Sequence, residues 1–172
     1  MNARHLFSRR LATLIALVIP VLLLLPAPAA AADVPFSPAN TIASGFFYGH
    51  SVYAADVDGD GDLDVLGASV LADSIGWWEN TIGDGSAWTQ HIISSAVDGA
   101  TEVYAADVDG DGDLDVVCSA ATADTITWWE NAAGDGSTWT EHVLSSTFDS
   151  AYSVYAADVD SEGDIDVLGA AS

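Results

Sequence analysis

Apolar and polar residues alternate in short runs along most of this chain. Ser51-Val-Tyr-Ala-Ala-Asp-Val, Leu63-Asp-Val-Leu-Gly-Ala-Ser, Ser74-Ile-Gly-Trp-Trp-Glu-Asn and Ala87-Trp-Thr-Gln-His-Ile-Ile-Ser follow one another with Asp, Gly and Ser in every gap. Runs of this length, rich in β-branched and aromatic residues and bounded by turn formers, predict strands over about Val52 to Val57, Leu63 to Ser69, Ser74 to Asn80 and Ala87 to Ser94. Gly83-Asp84-Gly85 reads as a hairpin loop between the last two. Helical periodicity is absent from this part of the chain, and apolar stretches such as Val65-Leu66-Gly67-Ala68 are too short to make a helix. The exception is Leu11 to Leu25, a nearly unbroken apolar run.

The strand pattern repeats. Ser51-Val-Tyr-Ala-Ala-Asp-Val-Asp58 returns as Glu102-Val-Tyr-Ala-Ala-Asp-Val-Asp109 and as Ser153-Val-Tyr-Ala-Ala-Asp-Val-Asp160, each time after 51 residues. Trp77-Trp78-Glu79-Asn80 matches Trp128-Trp129-Glu130-Asn131, Gly83-Asp84-Gly85-Ser86 matches Gly134-Asp135-Gly136-Ser137, and His91 matches His142. Four strands in roughly 40 to 50 residues is the period of a propeller blade, so the fold class is all-β with β-propeller-type four-stranded blades. The divisions are a leader at 1–32, the end of a preceding unit at 33–50, blades at 51–101 and 102–152, and a partial blade at 153–172. Thr41-Ile-Ala-Ser44 reads as the close of that preceding unit, by analogy with Ile92-Ile-Ser-Ser95. About 2.5 to 3 repeats fall short of the four to eight blades of a closed ring. Open blade edges invite pairing, so the chain is expected either to belong to a longer product or to cover its edges by self-association.

Charge divides the chain sharply. Its 26 acidic residues all lie at or beyond Asp33, and its three basic residues, Arg4, Arg9 and Arg10, all lie in the first ten positions. Met1 to Arg10 is basic, Leu11 to Leu25 apolar, and Pro26 to Ala32 small, which are the three parts of a secretory signal peptide cut after Ala32. A retained membrane anchor is the competing reading, but the apolar run has 15 residues and contains Pro20, short of the roughly 20 that a spanning helix needs. No cysteine lies near the cut, so no lipid anchor is expected, and Cys118, the only cysteine, permits no internal disulfide. A secreted or cell-surface protein without membrane insertion after cleavage is the expectation. The acidic remainder excludes a binder of nucleic-acid phosphates. Its apolar content, half of all residues, and its six tryptophans exclude an acidic disordered tail.

The carboxylates are not scattered. Asp56, Asp58, Asp60, Asp62 and Asp64 occupy positions 1, 3, 5, 7 and 9 of a loop with Gly61 at position 6. Asp107, Asp109, Asp111, Asp113 and Asp115 repeat it, and Asp158, Asp160, Glu162, Asp164 and Asp166 repeat it with Glu at position 5. Side-chain oxygens at 1, 3 and 5, a carbonyl at 7, and a glycine that allows a sharp turn describe an oxygen-only loop for Ca²⁺, here closed by the Asp at position 9. Zn²⁺ is disfavoured because neither His nor Cys accompanies the loops, and Mg²⁺ because it demands tighter octahedral geometry. An EF-hand or dockerin loop needs an acidic residue at position 12, where this chain has Gly67, Cys118 and Gly169.

The loop Asp-Val-Asp-Gly-Asp-Gly-Asp-Leu-Asp-Val, preceded by Val-Tyr-Ala-Ala and followed by Trp-Trp-Glu-Asn and a Trp-Thr-x-His strand, resembles the FG-GAP/VCBS repeat family over about residues 40–172. Members resemble the integrin α-subunit β-propeller. The resemblance implies Ca²⁺ on the loop carboxylates and a secreted or surface protein with a structural, adhesion or ligand-binding role, its partner an extracellular protein or polysaccharide. The family also occurs appended to enzymes, which leaves a fragment or accessory part of an extracellular carbohydrate-active hydrolase or lyase as the alternative. No catalytic constellation is visible in the spacing, so no enzymatic activity is expected. A third reading takes the acidity as adaptation to high salt. One tryptophan of each pair is expected between blades and the other on the opposite sheet face, His91 and His142 in the blade framework, and Cys118 buried in a strand.

Overall fold

The computed structural model describes residues 39–172; the leader, its cleavage point and its arginines lie outside them. Ten strands, and among the described residues no helix, make up the chain. The first blade is β1 (Gly49–Ala55), β2 (Asp64–Ser69), β3 (Ser74–Glu79) and β4 (Thr89–Ser94), and the second is β5 (Ala100–Ala106), β6 (Asp115–Ala120), β7 (Thr125–Asn131) and β8 (Trp139–Ser145). β9 (Ala151–Ala157) and β10 (Asp166–Ala171) form a third, two-stranded sheet. Each sheet is an antiparallel meander with its strands in sequence order. This is the all-β blade architecture read from the repeat. No helix among the described residues is long and apolar enough to cross a membrane.

The inner strands β1, β5 and β9 lie side by side, so successive blades pack face against face. Alternating residues of an inner strand therefore serve different interfaces. Val103 and Val154 each face the preceding blade and are buried, whereas Val52, with no blade described before it, is 76% exposed. Tyr53, Tyr104 and Tyr155 face the other way and meet ring to ring, with centroids 4.6 Å apart at both steps. Between the first two blades, Leu66, Ala68 and Trp77 pack with Val103, Val116, Cys118 and Trp129. Between the second and third, Val117, Ile126 and Trp128 meet Val154, Ala156 and Val167.

The paired tryptophans divide as adjacent strand residues must. Trp77 packs toward the second blade and stacks on His91 at 4.5 Å, while Trp78 lies on the opposite face, edge-on to Phe46 at 4.9 Å. Trp128 stacks on His142 at 4.2 Å, and Trp129 faces the first blade. Both histidines are framework residues, with Nε2 of His91 2.9 Å from Glu79 and Nε2 of His142 2.8 Å from Glu130. Cys118 is fully buried in β6, and burial pushes its thiol up to about 12.

Several boundaries differ from the sequence reading: β1 starts at Gly49 rather than Val52, β4 starts at Thr89 rather than Ala87, and β2 and β3 each lose one residue, Leu63 and Asn80. β1 ends at Ala55 rather than Val57, because the Val57 N–H donates to the Asp64 carboxylate at 3.0 Å instead of to a neighbouring strand. Thr41 to Ser44 forms no strand, although its counterpart closes β4. Among the described residues no strand lies beside it to supply a ladder. Instead Asn40 bonds the carbonyl of Gly85 at 2.8 Å, and Ile42 and Phe46 line the face that carries Val52, Val65 and Trp78.

Candidate metal centres and the strand ends opposite them

Each Asp-rich loop leaves the end of an inner strand and returns into the next strand, and its own carboxylates shape it. Asp56 accepts the Gly61 N–H at 3.0 Å, Asp58 that of Asp60 at 3.2 Å, and Asp60 that of Asp62 at 2.9 Å. The second loop repeats these bonds from Gly112 to Asp107 at 3.1 Å, from Asp111 to Asp109 at 3.2 Å and from Asp113 to Asp111 at 3.0 Å. In the third, Asp158 accepts from Gly163 at 3.1 Å and Asp160 from Glu162 at 3.1 Å. The chain reverses at position 6, where Gly61, Gly112 and Gly163 have φ near +100°, a conformation that a Cβ disfavours.

The Asp at position 9 anchors the loop to the sheet. Asp64 accepts from Val57 at 3.0 Å and from Asn80 at 2.8 Å, and Asp115 accepts from Val108 at 3.0 Å and Asn131 at 2.9 Å. Both carboxylates are buried, and desolvation pushes each above the ordinary value of 3.8 against the pull of these hydrogen bonds. Burial raises Asp58 as well. Asp166 keeps the bond from Val159 at 3.0 Å but is more open, its sheet having only two strands.

Ligand atoms of Asp56, Asp58 and Asp64 lie within 4.8 Å of one another, as do those of Asp107, Asp109 and Asp111, and those of Asp158, Asp160 and Asp166. These three clusters could hold a metal ion. Asp60, Asp115, Glu162 and the position-7 residues Asp62, Asp113 and Asp164 fall outside them, so the second cluster takes its position-5 carboxylate where the other two take position 9. The Asp62 carboxylate lies against Gly83 and that of Asp113 against Gly134, where any Cβ would collide with them. In the first two loops position 7 therefore has its side chain on the neighbouring hairpin, which leaves its backbone carbonyl as the atom the sequence pattern requires.

The residues fit a hard cation. Oδ1 of Asp56 is buried without any hydrogen-bond partner, the kind of orphaned acceptor that a metal satisfies. Carboxylates at these separations repel by roughly 3 to 4 kcal/mol per pair at an effective dielectric near 20. Residues 39–172 contain no Lys or Arg to offset that.

Residues 68–118, from the end of β2 through the second Asp loop to β6, match the family model described as FG-GAP-like repeat. The chain carries an FG-GAP-like repeat. The self-alignment at 51 residues carries the same FG-GAP-like pattern to both sides of the matched segment. Searches of curated proteins and of solved structures gave no match.

The 51-residue units differ at a place the sequence reading passed over. His50, Thr101 and Tyr152 are equivalent positions of the three inner strands, and Ser51, Glu102 and Ser153 are the next row. These rows are at the strand ends opposite the Asp loops. Nδ1 of His50 lies 2.9 Å from the carbonyl of Thr101, and its Nε2 3.1 Å from the hydroxyl of Tyr152, with the rings perpendicular at 5.2 Å. In the second row, Glu102 accepts the Val154 N–H at 2.8 Å, and Ser51 that of Val103 at 3.4 Å. His50 alone has no repeated counterpart, which made it unreadable. The available signal was the change of residue type directly before an otherwise invariant Val-Tyr-Ala-Ala-Asp-Val-Asp.

Proposed function

We propose that this is an exported repeat protein whose Asp loops bind Ca²⁺, and whose blades serve as a structural, adhesion or ligand-binding module outside the cell. The observation that carries the reading is the convergence of carboxylates in the same loop of each unit, with the Asp56 Oδ1 orphan and no Lys or Arg in residues 39–172 to neutralise them. Asp56, Asp58 and Asp64 would hold one ion, Asp107, Asp109 and Asp111 a second, and Asp158, Asp160 and Asp166 a third, with Asp60, Asp115 and Glu162 the remaining side chains of the sequence pattern. The ion supplies charge neutralisation. The chain's own part is to fix each loop, through position 1 gripping the glycine turn and position 9 gripping the sheet. Export rests on the basic, apolar and small-residue order of the leader. An extracellular protein or polysaccharide is the expected partner, and copies of the chain would cover open blade edges if nothing else does.

Titration of the chelator-stripped chain with Ca²⁺, together with its mass in solution, tests the proposal. Two or three stoichiometric sites support it. Absence of stoichiometric binding in high monovalent salt overturns it in favour of a merely solvated acidic surface. The alternative, part of a carbohydrate-active enzyme, is tested by turnover on a polysaccharide panel, lost on a substitution outside the Asp loops.

A further inference from the structure

The rows His50, Thr101, Tyr152 and Ser51, Glu102, Ser153 line a pocket of about 170 Å³ across the three inner strands. Position 50 and its equivalents carry three different side chains and position 51 two, where the next seven residues, Val52 to Asp58, are identical in all units, so the pocket is where the repeat gives way to individual chemistry. A backbone carbonyl can only accept, so the bond to Thr101 places the proton of the neutral His50 ring on Nδ1. Nε2 is then an acceptor, and the Tyr152 hydroxyl donates to it. That leaves the phenol oxygen with its lone pairs outward. Glu102 uses Oε2 for the Val154 N–H, which leaves its other oxygen to a ligand. With no Lys or Arg in residues 39–172, the carboxylate has no basic side-chain partner there. The pocket is thus rich in acceptors, carries one negative charge and is walled by the half-exposed ring of Tyr152.

We infer that this pocket binds an organic cation, a primary ammonium or guanidinium group such as that of a Lys or Arg side chain, seated against the Tyr152 ring with its N–H donors on Glu102. A cation over an aromatic face gains electrostatic attraction from the ring, and a carboxylate beside it adds a charge-assisted hydrogen bond. A divalent metal is a poorer match: there is one carboxylate, and the imidazole nitrogen that could ligate is already accepting the Tyr152 proton. A sugar could use the Ser51 and Ser153 hydroxyls as donors, and what singles out a cation is the one carboxylate, Glu102, among the lining residues. The pocket lies at the far ends of the inner strands from the Asp loops, so the inference stands independently of Ca²⁺ binding and can fail without it.

The test is titration of the full, Ca²⁺-saturated chain with Nα-acetyl-lysine amide, followed by NMR or calorimetry, with the ε-acetylated compound as the neutral control. One saturable site is expected, absent for the control and weakened at least tenfold in Glu102→Gln. That substitution keeps a side-chain carbonyl to accept the Val154 N–H, and removes one charge among 26. Tyr152→Leu, which deletes the half-exposed ring, is expected to weaken binding by a similar order, and thermal melts of both variants report whether the fold is intact. Linear, unsaturable binding, or equal affinity in Glu102→Gln and the parent, would mean diffuse attraction to an acidic protein and overturns the inference. If Glu102→Gln does not fold, retention of parental affinity by a folded Tyr152→Leu overturns it alone.

Discussion

At the scale of single residues, the structure accounts for Cys118 by its neighbours. Gly67 and Gly169 hold the equivalent positions, and a Cβ on them would meet Trp78 and Ile126 first and would then sit 3.1 Å from the Phe46 ring and 3.0 Å from the Phe148 ring. Position 46 recurs as Val97 in the second unit, and there the strand residue is Cys118, in the same cluster as Val97. A large ring is paired with glycine and a smaller side chain with a thiol, which keeps the packed volume nearly constant. Cys118→Gly alone should destabilise by about 1 to 2 kcal/mol through a small void and a freer backbone, and Val97→Phe alone by about 1 to 3 kcal/mol through overpacking. The double variant should recover much of both losses, a coupling that denaturant melts of all four proteins would measure. Additive losses would refute the exchange. Such a pair is invisible in one copy of the repeat. In three aligned copies it is legible only once contact between positions 46 and 67 is known.

Elements are joined by polar links that follow the same period. Asn131 closes β7 and is 1% exposed; its Oδ1 accepts the Gly136 N–H at 2.9 Å, and its Nδ2 donates to the carbonyls of Val57 at 3.0 Å and Leu114 at 3.3 Å. One side chain thus ties its own hairpin to the Asp loop of its own blade and to that of the preceding blade. Asn131→Ala would leave these buried groups unpaired and should cost about 1 to 3 kcal/mol. It should also loosen the first Asp loop through Val57 and the second through Leu114, so calorimetry should find those two Ca²⁺ sites weakened more than the third. Equal weakening of all sites, or none, would show that the link does not support the loop. At this scale strand existence was legible from alternation and turn residues. Strand ends were less so, because at Val57 a carboxylate competes with the ladder for the same N–H, and alternation does not record that competition.

Across the whole molecule the unresolved tension is charge. Burial raises Asp58, Asp64 and Asp115, so in the metal-free chain the folded form holds protons more tightly than the unfolded form. Metal-free stability must therefore fall as pH rises from the ordinary value of 3.8 through the raised folded values. Ca²⁺ opposes this, because it binds the ionised loops and stabilises whichever form holds it. Thermal melts between about pH 4 and 7 should show the chelated protein weakening toward neutrality and the gain from Ca²⁺ growing in the same direction. A gain independent of pH would place the ion elsewhere. The sequence by itself determined the period, the strands and the carboxylate pattern of the loops, because each is written in local spacing and repeated. Only the tertiary structure decided which carboxylates converge, why a cysteine stands where its counterparts are glycines, and that His50, Thr101 and Tyr152 meet across three blades. Those pairings join residues 51 and 102 positions apart. Their partners are chosen by how blades stack, which depends on packed volume and direction and leaves no trace in the spacing of any one unit.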